Sequence, residues 1–558
     1  MRLPDGVDHA HVRERLRRLR RPRVTITDPP EGVVFDHDVA VRVRDGTVLR
    51  VNVFRPQADG PHPVIMSAHP YGKDELPKLS GAGDATRYRI PFQLRLLSQS
   101  TPLSFSAWTS WEAPDPASWV PRGYVVVNCD LRGWGHSDGV GRILSHQEAL
   151  DSYDLVEWAA AQPWSTGRIG LLGVSYLAIS QWAAASERPP HLSAICPWEG
   201  FTDAYRDFMR PGGILENGFL RLWSTVLQRQ RRSPIHLLRD AKRHPFFDDW
   251  WAACNRDIES IDVAALVCAS FSDHNLHSRG SFEGFRRIAS PQKWLYTHRG
   301  GKWATFYSAE AHELQAKFFD HFLRDDDNGM LAEPRVRVEV REDASTVTAV
   351  RGEAEWPPSG TRWEPEFLGP DGQLSPVAPA TAGSVAFDHR RGRARFRLRV
   401  TEDTELVGPM SVRLHLEVQD ADDVNVFAGI RKVRDGKIVG FEGSYGFDRA
   451  LVTFGMAKAS HRAVDPERSL AWSPFHPDTE RQALRPGEIV ALDIELAPQA
   501  TLFRADEELL LDVQGRWFFP TNPIVGQFPA RYERSRRGTC VLHFGAGYDA
   551  ALHLPRRP

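Results

Sequence analysis

The stretch GRIGLLGVSYLAISQW, Gly167–Trp182, decides how the first half of the chain folds. Arg168–Leu172 is a short apolar run of the kind that forms a buried strand, and Tyr176 onward continues as a helix. Between them the chain must turn sharply, with Gly173 suiting the crowded backbone. Ser175 then stands at the tip of an elbow, its hydroxyl above the sheet edge. The helix N-terminus lies beneath it, and unpaired N–H groups there, notably that of Tyr176, can stabilise an oxyanion. The usual elbow is Gly-x-Ser-x-Gly, whereas this one is Gly-Val-Ser-Tyr-Leu, with Leu177 in place of the second glycine. A serine at this place can also simply cap the helix, and the pentapeptide leaves both readings open.

The pattern extends on both sides. Val39–Pro56 alternates around Asp45-Gly46 as a hairpin does. PVIMSAHPYGKD (Pro63–Asp74) and GYVVVNCDLRGWGHSDG (Gly123–Gly139) each read as a strand ending in a polar loop. Asp151–Gly167 has helical spacing and stops at Pro-Trp-Ser-Thr-Gly; Leu192–Trp198, Ala264–Phe271 and Lys293–His298 are further apolar strands. Apolar strands alternating with helices predict a parallel sheet covered on both faces. Residues 199–258 break the rhythm with aromatic, charged, helix-like sequence and read as an inserted helical cap. After Pro334 the chain alternates strand by strand, as in RVRVEVRE and MSVRLHLEVQ, which predicts an all-β sandwich, jelly-roll-like. The expected division is therefore 1–198 and 259–333 for the α/β unit, 199–258 for the cap, and 334–558 for the β domain.

A nucleophilic serine on such a sheet needs an acid after a later strand and a histidine after a still later one. Asp273 follows the strand in ALVCASFSDHNLH, and His298 ends the strand in QKWLYTHRGGKW. Both fall at the C-terminal strand edge, where open α/β sheets gather their sites. His298 would remove the Ser175 proton, with Asp273 fixing its tautomer. His274, His277 and His312 are rivals: His274 adjoins Asp273 directly, and His312 falls inside a predicted helix. A second oxyanion donor is expected from the loop carrying Tyr71, whose phenol is a neutral donor at pH 7, unless Pro70-Tyr71 is merely a turn.

Composition narrows the function classes. The chain has 558 residues and a formal net charge of -2, so no global field favours nucleic acid or an anionic membrane. The basic run HVRERLRRLRRPR (His11–Arg23) reads as a solvated helix lying on the body of the protein, with a membrane or RNA arm as the alternative. Five scattered cysteines, without zinc-ligand spacing, read as core residues in a reducing compartment. With no signal-peptide pattern or membrane-length apolar run, a cytoplasmic location is expected. Neither HELQAKFFDH nor the Asp325–Asp327 run has metal-site spacing, so no metal or other cofactor is expected.

These residues resemble the CocE/NonD serine hydrolases, the group of cocaine esterase, X-Pro dipeptidyl-peptidase and α-amino-acid ester hydrolase. The resemblance runs through VRVRDGTVLRVNVFRP, HPYGKD, CDLRGWGHSDG, EWAAAQPWSTGRIGLLGVSYLAISQWAAA, FFDHFLRDDDNG, ASHRAVDPERS and PGEIVALDIEL. It implies an α/β-hydrolase core with a helical cap and a jelly roll. It also implies Ser175 as nucleophile, Asp273 as acid, His298 as base, and the Tyr71 side chain with the Tyr176 N–H as oxyanion hole. The sequence departs from the family around the histidine, where Trp294 lies four residues before His298 and Trp303 follows it, and the stretch from Gly81 to Val120 is longer than in the small esterases. Aromatic candidates for the pocket wall are Trp108, Trp111, Trp198, Phe201, Phe208, Phe219 and Trp223, each of which could instead be core. Glu199, Asp203 and Glu216 could hold a substrate ammonium, or face solvent. Three readings follow: a serine esterase acting on a small ester or amide, an X-Pro dipeptidyl aminopeptidase or amino-acid ester hydrolase, and a non-catalytic binding protein of this fold. No nucleic-acid or membrane partner is expected, and a homodimer is left open.

Overall fold

The computed structural model describes residues 3–80, 87–91, 94–95, 100–228 and 235–557. Parts of the long stretch from Gly81 to Val120 lie outside the described residues. Helix α1 (His9–Arg20) opens the chain. Eight strands then build one sheet: β1 (Val33–Arg42), β2 (Val48–Pro56), β3 (His62–His69), β4 (Val125–Asp130), β5 (Ser165–Val174), β6 (Leu192–Trp198), β7 (Ala264–Ser270) and β8 (Lys293–His298). Their order is β1-β2-β4-β3-β5-β6-β7-β8. The β1–β2 and β2–β4 pairings are antiparallel and the rest parallel. This is the α/β-hydrolase sheet, and its switch in strand order lies next to β5.

Each face of the sheet has its own core because side chains alternate along every strand. One face carries α2 (His146–Ala160) and α3 (Tyr176–Ser186), with Leu155, Ile179 and Trp182 against Val127 and Leu171. The other carries α6, which we define as Ala309–Arg324, with Phe318 and Phe319 against Leu172 and Trp198. Among the described residues between β6 and β7 lie a π-helical turn, Ala204–Met209, and three α-helices: α4 (Phe219–Gln228), Leu237–Arg243 and Asp249–Cys254. Helix α5 (Ser278–Arg287) follows β7.

Strand β9 (Val336–Arg341) pairs parallel to β8 and carries the sheet into the C-terminal half. There, two packed sheets enclose a separate core that includes Val412, Leu414, Ile430 and Leu511. One sheet is built on the long antiparallel pair Thr404–Gln419 and Ile489–Phe503, the other on Asn425–Arg434 and Glu508–Gln514. Helix α1 rests on this β half with His11, Arg15 and Arg18 buried, so the basic run is not the wholly solvated face expected. Arg15 donates to the carbonyls of Gly446 and Pro523, and Arg18 and His11 both contact Asp448. The five cysteines are all free. Among the described residues, no helix is long and apolar enough to cross a membrane.

Candidate active site

Ser175 follows β5 directly with φ 61° and ψ −116°, a left-handed conformation that a non-glycine residue keeps only when its surroundings impose it. Its N–H bonds to Trp198 O at 3.0 Å, and its carbonyl accepts the N–H groups of Ala178 and Ile179. A Cβ on Gly173 would lie 2.5 Å from Leu177 Cβ, so a glycine is needed there and buried Leu177 fills the space against it. The serine side chain caps nothing. Instead its Oγ lies 3.0 Å from His277 Nε2.

That contact corrects the expected triad. The imidazole at Ser175 is His277, between β7 and α5, and not His298. His298 is the last residue of β8. Its Nε2 lies 3.1 Å from Glu199 Oε1 and its Nδ1 3.3 Å from Thr305 Oγ1. The pleat is the reason: Trp294, Tyr296 and His298 are two residues apart and share a face, and Trp294 and Tyr296 lie in the core packed by Phe318. Asp273 also does not meet His298. Its Oδ2 is 2.5 Å from Lys302 Nζ. The other rivals are structural: His274 Nε2 meets Pro498 O at 3.2 Å, and His312 packs against Trp119 with the rings tilted. The His277 ring is held by its backbone, with N–H to Asp273 O at 3.1 Å, and by Phe201, stacked at 5.8 Å.

Burial, and then the Lys302 ammonium, hold the His277 pKa well below the ordinary histidine value, so the ring is neutral and can accept a proton. Burial opposes the charge on Lys302, but the carboxylates of Asp273 and Glu199 outweigh it and keep the lysine protonated. Burial likewise opposes ionisation of Glu199, yet His298 and Lys302 hold it below the usual carboxylate range. Asp273 is raised, chiefly by burial. No sequence pattern singles out Lys302, Glu112 or the pairing of Glu199 with His298. Only the position of Glu199 is legible, because it directly follows β6 as Ser175 follows β5.

Ser175 opens into a cavity of about 530 Å³, within the usual range for a small-molecule site. Tyr71 lines it, and its phenol faces the Ser175 hydroxyl and the Trp223 indole; burial keeps it neutral. Tyr176 points its side chain away, donating from its hydroxyl to Glu148, so only its N–H is available near Ser175; as the first residue of α3 that N–H has no acceptor within the helix. Of the expected aromatic wall, Trp111, Phe219 and Trp223 line the cavity. Trp108, Trp198, Phe201 and Phe208 do not. Trp108 packs on Phe35 and Phe54, Trp198 on Tyr296 and Phe306, and Phe208 stands behind Phe219. The β domain adds Gly443–Gly446, with Tyr445 stacked on Phe219 at 5.5 Å.

The three cap acids form no ammonium site. Glu199 is paired as above, Asp203 caps the turn at Tyr205 and Arg206, and Glu216 accepts N–H groups from Gly218, Phe219, Leu220 and Arg531. Among the described residues two clusters have metal-ligand spacing: Glu199, Cys268 and His298, and Asp38, Asp74 and His136. In the second, Lys73 Nζ lies 2.8 Å from Asp38 and 2.5 Å from Asp74, so an ammonium already supplies the positive charge. In the first, Glu199 and His298 bond each other, and burial holds the Cys268 thiol well above its ordinary pKa.

Two family models match the chain. That of X-Pro dipeptidyl-peptidase (S15 family) covers residues 45–302, and that of the X-Pro dipeptidyl-peptidase C-terminal non-catalytic domain covers 328–553. A CocE/NonD family hydrolase from Staphylococcus aureus is 36% identical over 94% of both chains, with a TM-score of 0.88. The chain belongs to the CocE/NonD hydrolase family. Within that family, the cocaine esterase of Rhodococcus sp. (strain MB1 Bresler) is 25% identical over 60% of this chain, a region spanning 62% of the esterase. An α-amino-acid ester hydrolase, 14% identical with a TM-score of 0.69 over 94% of this chain and 97% of its own, shares the fold. CocE/NonD membership agrees with the α/β-hydrolase core followed by an all-β domain.

Proposed function

We propose that this chain is a serine hydrolase that cleaves a carboxylic ester through an acyl-enzyme on Ser175, with His277 as the base. The observation that carries the reading is the 3.0 Å contact between a hydroxyl fixed at a strained elbow and a neutral imidazole. His277 Nε2 takes the Ser175 proton as Oγ attacks the ester carbonyl. The oxyanion that forms is met by the Tyr176 N–H and the Tyr71 phenol. His277 then returns the proton to the leaving alkoxide, and water attacks the acyl-enzyme with the same imidazole as base. The Asp273–Lys302 pair sets the field around that imidazole. Trp111, Phe219 and Trp223 suit an apolar or aromatic acyl or alcohol group on a small-molecule substrate.

A fluorophosphonate probe tests the reading: it labels the wild type and spares Ser175→Ala. Absence of labelling, or equal labelling of both, rejects it in favour of a non-catalytic binding protein. The family models favour a second reading, release of X-Pro dipeptides. Turnover of p-nitrophenyl esters in preference to Ala-Pro-p-nitroanilide supports the first, and the reverse order supports the second.

A further inference from the structure

One carboxyl in the cavity wall beside Ser175 has no part in the reaction described above. Glu112 is 4% exposed and has φ 66°. Its carbonyl accepts the Val174 N–H at 3.1 Å, which fastens it to the residue before the nucleophile. Oε1 accepts the Trp303 indole N–H at 3.0 Å. Oε2 is buried and has no hydrogen-bond partner among the described residues. Its acidic neighbours are committed differently: Glu199 to His298 and Ser270, Asp273 to Lys302. Among the described residues no cation pairs with Glu112 directly; the residue lines the cavity, and a buried polar atom left unmet is unfavourable until a ligand reaches it.

We propose that Glu112 is a substrate-binding residue whose Oε2 meets a second oxygen of the ester, a hydroxyl, ether or carbonyl oxygen close to the scissile group. The location of that group rests on Ser175 as nucleophile. Burial raises Glu112 to about 8; Lys302 and the Trp303 bond oppose the shift and Asp273 and Glu199 reinforce it. Tyr71 and Tyr307 also face it, and both phenols are neutral. A protonated carboxyl offers an O–H donor, which selects an oxygen acceptor over an ammonium.

p-Nitrophenyl methoxyacetate and p-nitrophenyl butyrate differ only by an ether oxygen in place of a methylene. With each kcat/KM divided by the ester's rate with hydroxide, the wild-type preference for the methoxy ester falls about fivefold in Glu112→Leu, the value of one neutral hydrogen bond. Glu112→Gln, whose amide also donates, keeps most of it. Calorimetric binding of ethyl methoxyacetate and ethyl butyrate to Ser175→Ala, with and without Glu112→Leu, gives the same ratio without turnover. Absence of turnover thus rejects the hydrolase reading separately. Should Glu112→Leu not fold, pH decides: the wild-type preference declines as Glu112 ionises near 8, and Glu112→Gln shows no such decline. An unchanged preference in Glu112→Leu, an equal loss on both esters, or a wild-type preference flat through that pH overturns the proposal.

Discussion

Two imidazoles are buried at the same sheet edge, and each has a different kind of partner: His277 a hydroxyl, His298 a carboxylate. Their loss should therefore read out differently. His277→Ala removes the proton acceptor and should lower kcat/KM by at least about 10³-fold with little change in melting temperature. His298→Ala leaves Glu199 buried without its partner and should destabilise the fold by about 3–5 kcal/mol, while fluorophosphonate labelling persists below the melting temperature. Lost labelling with unchanged melting in His298→Ala would restore it as the base. The pH profile gives an independent check. Because the folded-state His277 pKa lies below 6.5, the base stays neutral down through that pH, and the acid limb of kcat/KM should fall below it. Lys302→Gln removes a repelling positive charge and should move that limb upward; an unmoved limb would exclude the lysine from this role. Strand order placed Ser175 and Asp273 at the sheet edge, but the side chain of Asp273 pairs with Lys302 rather than with an imidazole, and the same rule pointed to His298. What it ignored was pleat parity: a residue still inside β8 shares the face of Trp294 and Tyr296, whereas His277 lies on a loop free to turn toward Ser175.

At the scale of elements, α1 reaches the site without touching it. Arg15 Nη1 donates to Gly446 O at 2.5 Å and Nη2 to Pro523 O at 2.9 Å, and Gly446 ends the Gly443–Gly446 segment of the cavity wall. Tyr445, with φ 61°, holds its ring on Phe219 of the cap helix α4, so the segment fixes one wall to another. Arg15→Ala leaves the buried Gly446 carbonyl and the partly buried Pro523 carbonyl without a charged donor and should cost about 2–3 kcal/mol of stability. It should also raise KM for a bulky aromatic ester while kcat is largely kept, since Ser175 and His277 are untouched. Arg15→Lys should not rescue it, because one ammonium does not reproduce a fork that spans two carbonyls. An unchanged KM well below the melting temperature would show that the wall holds its shape without α1. Charge patterning revealed the helix but not its burial, because arginines that bond distant carbonyls look the same in sequence as arginines in water.

The whole molecule is knit across the boundary that the sequence marks at Pro334. The change from alternating strands and helices to strands alone was plain in the residue pattern, and the two halves do have separate cores. Less visible was how far the halves share one. Val336, Val338, Val340, Trp356, Val407 and Ala500 belong to the same apolar cluster as Leu155 and Trp182 of the hydrolase half. Such contacts link residues far apart in sequence, and no local period reports them. Strand β9 also covers the edge of β8, and the buried Arg299 guanidinium donates to Leu451 O and Val452 O at 2.6 and 2.8 Å while lying over Phe441. A chain ended at residue 333 would expose that strand edge, part of an apolar core and an uncompensated arginine. We expect this truncation to aggregate and to show no cooperative melting transition, and the intact chain to unfold in a single calorimetric step. Two resolved transitions in the intact chain, with the truncated half melting at the temperature of one of them, would mean that the halves fold independently and that the β domain serves only as a wall of the cavity.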